Sequence, residues 1–117
     1  MTILSSHLLN SLDGNHASNV KVSLVQINLQ GENKILFDTV TNENGRINEE
    51  FNLTSVDCLC HFEMIVKIGD YFLNYTEKDS NKIVSEIVIR INMKSNDKKY
   101  HIPIIISPNS YSIWWSK

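Results

Sequence analysis

The chain has 117 residues, a formal net charge of −2, 42% apolar and 21% charged residues, which is enough for one domain with a core and too little for a second. Its lysines are dispersed, so it lacks the clustered basic surface that nucleic acid requires, and Lys98-Lys99 reads as a solvated turn. No apolar stretch approaches the length of a bilayer span, and Met1 to Leu9 lacks the basic-then-apolar order of a secretory signal; the expectation is a cytoplasmic protein without membrane contact.

Short β-branched runs separated by turn chemistry predict an all-β sandwich or barrel. Ile3 to Leu9 is the first predicted strand, closed by Asp13-Gly14-Asn15, where Gly supplies a positive φ. Val20 to Ile27 alternates, with Val20, Val22, Leu24 and then Gln26 on one face and Lys21, Ser23 and Val25 on the other. Gln30-Gly31-Glu32-Asn33 turns the chain into Ile35 to Thr41. Asn44-Gly45 is the strongest hairpin signal, because both residues tolerate the left-handed region that a tight primed turn needs, and a short strand from Asn48 to Leu53 follows.

Cys58 and Cys60, read on a strand, point to one face too close together for an unstrained disulfide, and His61 faces away from them. They read as two reduced, partly buried thiols. His61 to Ile68 alternates, with Phe62, Met64, Val66 and Ile68 on one side. Tyr71, Phe72 and Tyr75 recur at helical spacing, which predicts one short helix over Gly69 to Lys78, capped near Gly69-Asp70. Ile83 to Ile91 and His101 to Ile106 return to strand composition across the polar turn Lys94 to Asp97, and a final strand begins near Ser110. About seven or eight strands and one helix therefore share one core over the whole chain, a single domain.

The chain has no His-Glu-x-x-His helix, Cys-x-x-Cys pair, Gly-rich phosphate loop or nucleophile elbow, so neither a metal nor a cofactor is expected. Of its four histidines, His16 lies in a turn and His61 at a strand start, positions that suit surface residues. His7 and His101 differ, because each interrupts an apolar strand. Either one alone fits a structural role. With Arg46, presented directly after the Asn44-Gly45 turn, they would supply a base titrating near neutrality and a fixed cation, provided the fold brings them together.

Five segments, in order, resemble one family. They are Ile3-Leu4-Ser5-Ser6-His7-Leu8-Leu9-Asn10, Asp13-Gly14 with Ala17, Thr41-Asn42-Glu43-Asn44-Gly45-Arg46-Ile47, Gly69-Asp70-Tyr71-Phe72, and Tyr100-His101-Ile102-Pro103-Ile104-Ile105-Ile106-Ser107-Pro108 with Tyr111-Ser112. The chain resembles the 5-hydroxyisourate hydrolases of the transthyretin-like family nearly end to end. The resemblance implies a two-sheet sandwich with one short helix, assembled as a homotetramer (a dimer of dimers) with its sites in the channel between dimers. It also implies metal-free opening of a ring amide of 5-hydroxyisourate in oxidative purine breakdown. Carried over by position, it makes His7, Arg46 and His101 the catalytic candidates.

The C-terminus departs from the pattern. Hydrolases of the family typically end Tyr-Ser-Thr-Tyr-Arg-Gly-Ser, whereas this chain ends Tyr111-Ser112-Ile113-Trp114-Trp115-Ser116-Lys117. Ser112, Trp114, Trp115 and Lys117 are the substrate-binding candidates there, and two readings stay open. In the first, the matched histidines and arginine suffice and Lys117 stands in part for the missing Arg. In the second, the tryptophans reline the channel and the protein binds a flat apolar molecule with little turnover. The intact histidine and arginine set favours the hydrolase. A third reading, a sandwich module that binds other proteins by an edge, requires the three residues to lie apart.

Overall fold

The computed structural model describes residues 1–73 and 82–117. Its strands are Thr2–Asn10 (β1), Lys21–Ile27 (β2), Asn33–Val40 (β3), Arg46–Phe51 (β4), His61–Val66 (β5), Ile87–Ile91 (β6), Lys99–His101 (β7), Ile104–Ile106 (β8) and Tyr111–Ile113 (β9), with one helix, Ile68–Phe72 (α1), after β5. Two sheets form: one of five strands, ordered β4-β1-β8-β9 with β7 also on β1, and one of four, ordered β3-β2-β5-β6.

Alternation in the sequence assigns the faces. In β1, Thr2, Leu4, Ser6, Leu8 and Asn10 are buried, while Ile3, Ser5, His7 and Leu9 are half-buried on the outer face. Leu4 and Leu8 meet Val22 and Leu24 of β2, Phe62, Met64 and Val66 of β5, and Ile104 and Ile106 of β8 in a single core. Burying each such large side chain contributes roughly 1.5–3 kcal/mol. Two polar groups of β1 that share the inner face are paired: Ser6 Oγ donates to the Ile102 carbonyl at 2.6 Å, and Asn10 Nδ2 donates to the Tyr71 hydroxyl at 3.2 Å, which ties α1 to β1.

β1 is central to its sheet, antiparallel to β4 and parallel to β7 and β8. The predicted strand His101 to Ile106 is two strands, because Pro103 has no N–H to give the ladder. The pairing offset is nonetheless kept, from Ser5 opposite His101 to Leu8 opposite Ile104.

Several expectations are corrected. Asn44-Gly45 turns the chain but makes no hairpin: β3 pairs only with β2 and β4 with β1, so the turn carries the chain between sheets. Gly45 has φ +72° whereas Asn44 stays out of the left-handed region, and the turn is capped by Asn42, whose Oδ1 accepts the N–H groups of Asn44 (2.9 Å) and Arg46 (3.0 Å). β6 begins at Ile87, since the segment before it crosses α1 instead: the Ser85 carbonyl accepts the Gly69 N–H at 3.0 Å and Asn109 Oδ1 accepts the Ile83 N–H at 2.8 Å. β5 stops at Val66, and Ile68 buries itself as the first residue of α1, where no side chain caps the helix. The predicted helix continues to Lys78, and Tyr75 and Lys78 lie outside the described residues. Cys58 sits in a short 3-10 turn, Asp57–Leu59, not on a strand; it is half-buried, Cys60 is buried and both are free thiols.

Candidate active site

Strand register assembles the predicted residues. The β1–β4 ladder sets His7 opposite Arg46 and Ser5 opposite Asn48, and the β1–β7 ladder sets Ser5 beside His101. Directly paired residues share a face of a sheet, so Ser5, His7, Arg46, Asn48 and His101 all stand on the outer face of the five-stranded sheet. Ser5, Asn42, Arg46, Asn48, Lys99 and His101 line an open cleft of about 450 Å³ there. His7 flanks the cleft as the cross-strand partner of Arg46.

The groups are held in working states. Partial burial first, then the Arg46 guanidinium, His16 and His101, hold the His7 imidazole below the usual histidine range, against a hydrogen bond to the Asn44 carbonyl that pulls it up. His7 is therefore neutral at neutral pH and can accept a proton. His101 is anchored through Nδ1, 2.8 Å from Ser5 Oγ, which leaves Nε2 free of that contact. Arg46 is exposed and takes part in neither of the ion pairs found among the described residues, Met1 amino group with Asp97 and Arg90 with Glu63. Its planar donors are thus available to a carbonyl or anion.

Gly45 makes this arrangement possible. A Cβ there would lie 2.5 Å from the Leu8 carbonyl oxygen and 3.3 Å from His16 Cβ, so only glycine lets the turn that carries Arg46 close onto β1.

Ser112 stands on the same outer face as His7, since it pairs with Ile105 and Ile105 with Leu9, whereas Trp114, Trp115 and Lys117 lie apart from the histidine cleft. Trp114 and Trp115 line a second cleft, about 380 Å³, with Ile89, Ile91, Tyr100, Ile102 and Ile113 at the edges of both sheets. Lys117 places its Nζ 5.1 Å over the Trp115 ring, and Ser112 pairs with Ile105 on β9. The tail residue beside the histidine cleft is Ser116, whose N–H donates to the His101 carbonyl at 2.9 Å. A larger cleft, about 640 Å³, lies where β4 ends and β7 begins; it has Cys58, Cys60, His61 and Lys94 on its walls and none of the three catalytic candidates. Among the described residues no group of three or more His, Cys, Asp or Glu side chains could hold a metal ion.

Composition and spacing missed three neighbours of the site. Lys99, read as a solvated turn, is in β7 and brings a second cation to the cleft. Ser5 could have been found from its place two residues before His7, which puts both on one face. His16, read as a surface residue, is exposed, yet its Nδ1 lies 2.8 Å from His7 Nε2. The Asp13-Gly14 turn signal pointed to it, because a fold-back there returns His16 to β1, where it bridges to Leu9.

Among the described residues, two face-to-face sheets, one helix after the fifth strand and a histidine–arginine cluster on the outer face of the five-stranded sheet define a transthyretin-like sandwich. The chain belongs to the HIUase/Transthyretin family, whose profile matches residues 4–115. It is 28% identical over 112 residues to a 5-hydroxyisourate hydrolase of Halalkalibacterium halodurans, covering 95% of this chain and 94% of that one. Its fold superposes on the 5-hydroxyisourate hydrolase of Klebsiella pneumoniae with a TM-score of 0.75 at 25% identity, over 98% of this chain and 99% of the other. Sea bream transthyretin in complex with thyroxine gives a TM-score of 0.76 at 18% identity, over 97% and 93% of the two chains, a likeness of fold alone. Among the described residues no helix is long and apolar enough to cross a membrane.

Proposed function

We propose that this chain is a 5-hydroxyisourate hydrolase, opening the ring amide of its substrate by addition of water on the outer face of β1, β4 and β7. The observation that carries the reading is the register of β1, which puts His7 opposite Arg46 and His101 beside Ser5 on one face. The hydrolase relatives, one of which aligns over 95% of this chain, support it. Enzyme and carrier relatives share the fold almost equally, so the choice between them falls to the residues of the cleft. A neutral base beside an unpaired guanidinium suits hydrolysis. The carrier reading asked the two tryptophans to reline the channel between dimers; within one chain they line a cleft apart from His7, Arg46 and His101.

In the reaction, water gives a proton to the His7 side as its oxygen bonds to the ring carbonyl carbon. The carbonyl oxygen becomes an oxyanion facing Arg46, whose paired donors bind it more strongly than the starting carbonyl. The carbon–nitrogen bond then breaks, and the ring nitrogen leaves with a proton from His101, held by Ser5 at its other nitrogen. The proton gained on the His7 side passes through water to His101, which hands it to the ring nitrogen, so both imidazoles end neutral and neither becomes an anion. Lys99 adds a second positive charge for a carbonyl-rich ring.

The assembly belongs to the same proposal. The outer face that holds the cleft is open, and stacking a second dimer on it would enclose the site in a channel, giving a homotetramer of a cytoplasmic enzyme.

The test is to add purified protein to freshly generated 5-hydroxyisourate and follow its absorbance. Hydrolysis predicts loss faster than the spontaneous reaction and proportional to protein. Saturable binding of an aromatic ligand, seen by calorimetry, with no acceleration at any protein concentration would replace the reading with a carrier.

A further inference from the structure

We propose that His16 is a second imidazole of the catalytic base, the outer member of a two-histidine relay through which the proton taken from water reaches His7. The inference rests on the hydrolase reading above and goes beyond it in naming the residue that meets the water.

The hydrogen bond between His7 Nε2 and His16 Nδ1 is 2.8 Å, with ring centroids 5.0 Å apart and the planes tilted by 37°. Only one hydrogen can lie between those two nitrogens, so the pair has a direction, and the surroundings of His7 fix it. In this relay the N–H of neutral His7 is on Nδ1, toward the Asn44 carbonyl that raises its pKa, because Nε2 is engaged by His16. A neutral imidazole has one N–H and one lone pair. His7 Nε2 is therefore an acceptor, His16 Nδ1 holds the bridging hydrogen, and the lone pair of the neutral dyad that remains open is on His16 Nε2.

Both nitrogens of His7 are thus occupied, and a water molecule cannot reach one directly. It can reach His16, which is exposed. When the oxygen of water attacks the carbonyl, its proton enters at His16 Nε2 and the bridging hydrogen passes to His7 Nε2. His16 ends neutral, and His7 ends as an imidazolium with Nδ1–H on the Asn44 carbonyl and Nε2–H on His16 Nδ1. One proton leaves water and one is gained by the dyad. The groups facing His7 are Arg46 from β4, His101 from β7, His16 and the Asn44 carbonyl, none of them an acid, and together with partial burial they keep His7 neutral beforehand.

The fold holds the dyad in place through Leu8, the residue after His7. Leu8, between His7 and Leu9, donates its N–H to the Gly45 carbonyl at 2.8 Å and accepts from the Ala17 N–H at 2.9 Å. The turns bearing Asn44 and His16 are therefore fixed side by side on one edge of β1 at the level of His7, since β8 takes the other edge.

Two variants test the relay. His16→Ala removes both nitrogens, and His16→Asn keeps an N–H donor near the Nδ1 position but has no second nitrogen to pass a proton. The relay predicts that each lowers kcat at least about tenfold, within the ordinary reach of acid–base catalysis, with KM changed less than about twofold. Added imidazole would then restore part of the rate to His16→Ala. Unchanged kcat in His16→Ala overturns the relay, and so does full activity in His16→Asn, which would leave His16 a positioning residue only. Nitrogen NMR of the wild-type protein needs no substrate: His7 Nε2 resonates as a hydrogen-bonded acceptor and moves in His16→Ala, whereas an unmoved resonance contradicts the dyad. Wild-type protein that fails to speed loss of 5-hydroxyisourate sinks the hydrolase reading instead, so the two failures are distinct.

Discussion

His7, a half-buried imidazole with its pKa lowered by partial burial and by the Arg46 cation, can act as a base at a pH where an ordinary histidine is already partly protonated. Activity that needs neutral His7 is therefore retained below the usual histidine range and is lost as pH falls through the lowered value. Arg46→Gln removes the neighbouring cation, so the His7 pKa rises and the acid limb of the pH–kcat profile moves to higher pH. The same change removes the donors facing the oxyanion and lowers kcat by about 10²–10³. Arg46→Lys keeps the charge, so its limb stays in place while the rate falls with the lost paired donors. An acid limb that does not move in Arg46→Gln would contradict the electrostatic coupling. His7, Arg46 and His101 were legible because a histidine inside an apolar strand and an arginine after a tight turn break a pattern. His16 and Lys99 were not, since each follows ordinary turn chemistry and gains its neighbour only through the packing of a loop or strand on β1.

At the scale of elements, the turn from Asn42 to Arg46 is the most constrained piece of the site. Gly45→Ala puts a Cβ against the Leu8 carbonyl oxygen, 2.5 Å away, at a φ of +72°. Backbone strain of this kind costs roughly 1–3 kcal/mol, and the overlap adds to it. Thermal unfolding of Gly45→Ala should show a lower Tm, with residual activity reduced because Arg46 shifts with the turn; a Tm equal to wild type would contradict the close approach. The sequence marked this turn correctly but not its use. Asn-Gly between two β-branched runs is the pattern of a hairpin, and only the pairing of β4 with β1 makes it a crossing between sheets. The same limit applies at Ile83 to Glu86, where β-branched composition suggested strand but a hydrogen bond from Gly69 draws the segment across α1. Cys58 shows it again, because a Thr54–Asp57 reciprocal cap, with bonds of 2.9 and 3.1 Å, closes a 3-10 turn where strand spacing had been assumed.

For the whole molecule, period-two alternation predicted an all-β sandwich or barrel, because one face of each inner strand must be apolar, and the family resemblance chose the sandwich. It could not foresee that β1 would run parallel to β7 and β8, since parallel pairing joins segments far apart in the chain. That arrangement is what brings His101 to Ser5, so the site depends on a contact between the two ends of the sequence. The tail divides at Ile113: up to that point it completes the sheet, and beyond it the tryptophans cover a second cleft while Ser116 returns to His101. Light scattering tests the proposed assembly, with a mass of four chains of 13.4 kDa expected and a mass of one chain arguing against an enclosed channel. The most direct measurement of the central claim compares wild type, His7→Asn and His101→Asn in the decay of freshly generated 5-hydroxyisourate. Hydrolysis on the outer face of β1, β4 and β7 predicts acceleration by wild type that each substitution reduces by about 10²–10⁴. Folded variants that match wild type, or wild type that leaves the spontaneous decay unchanged, would contradict it.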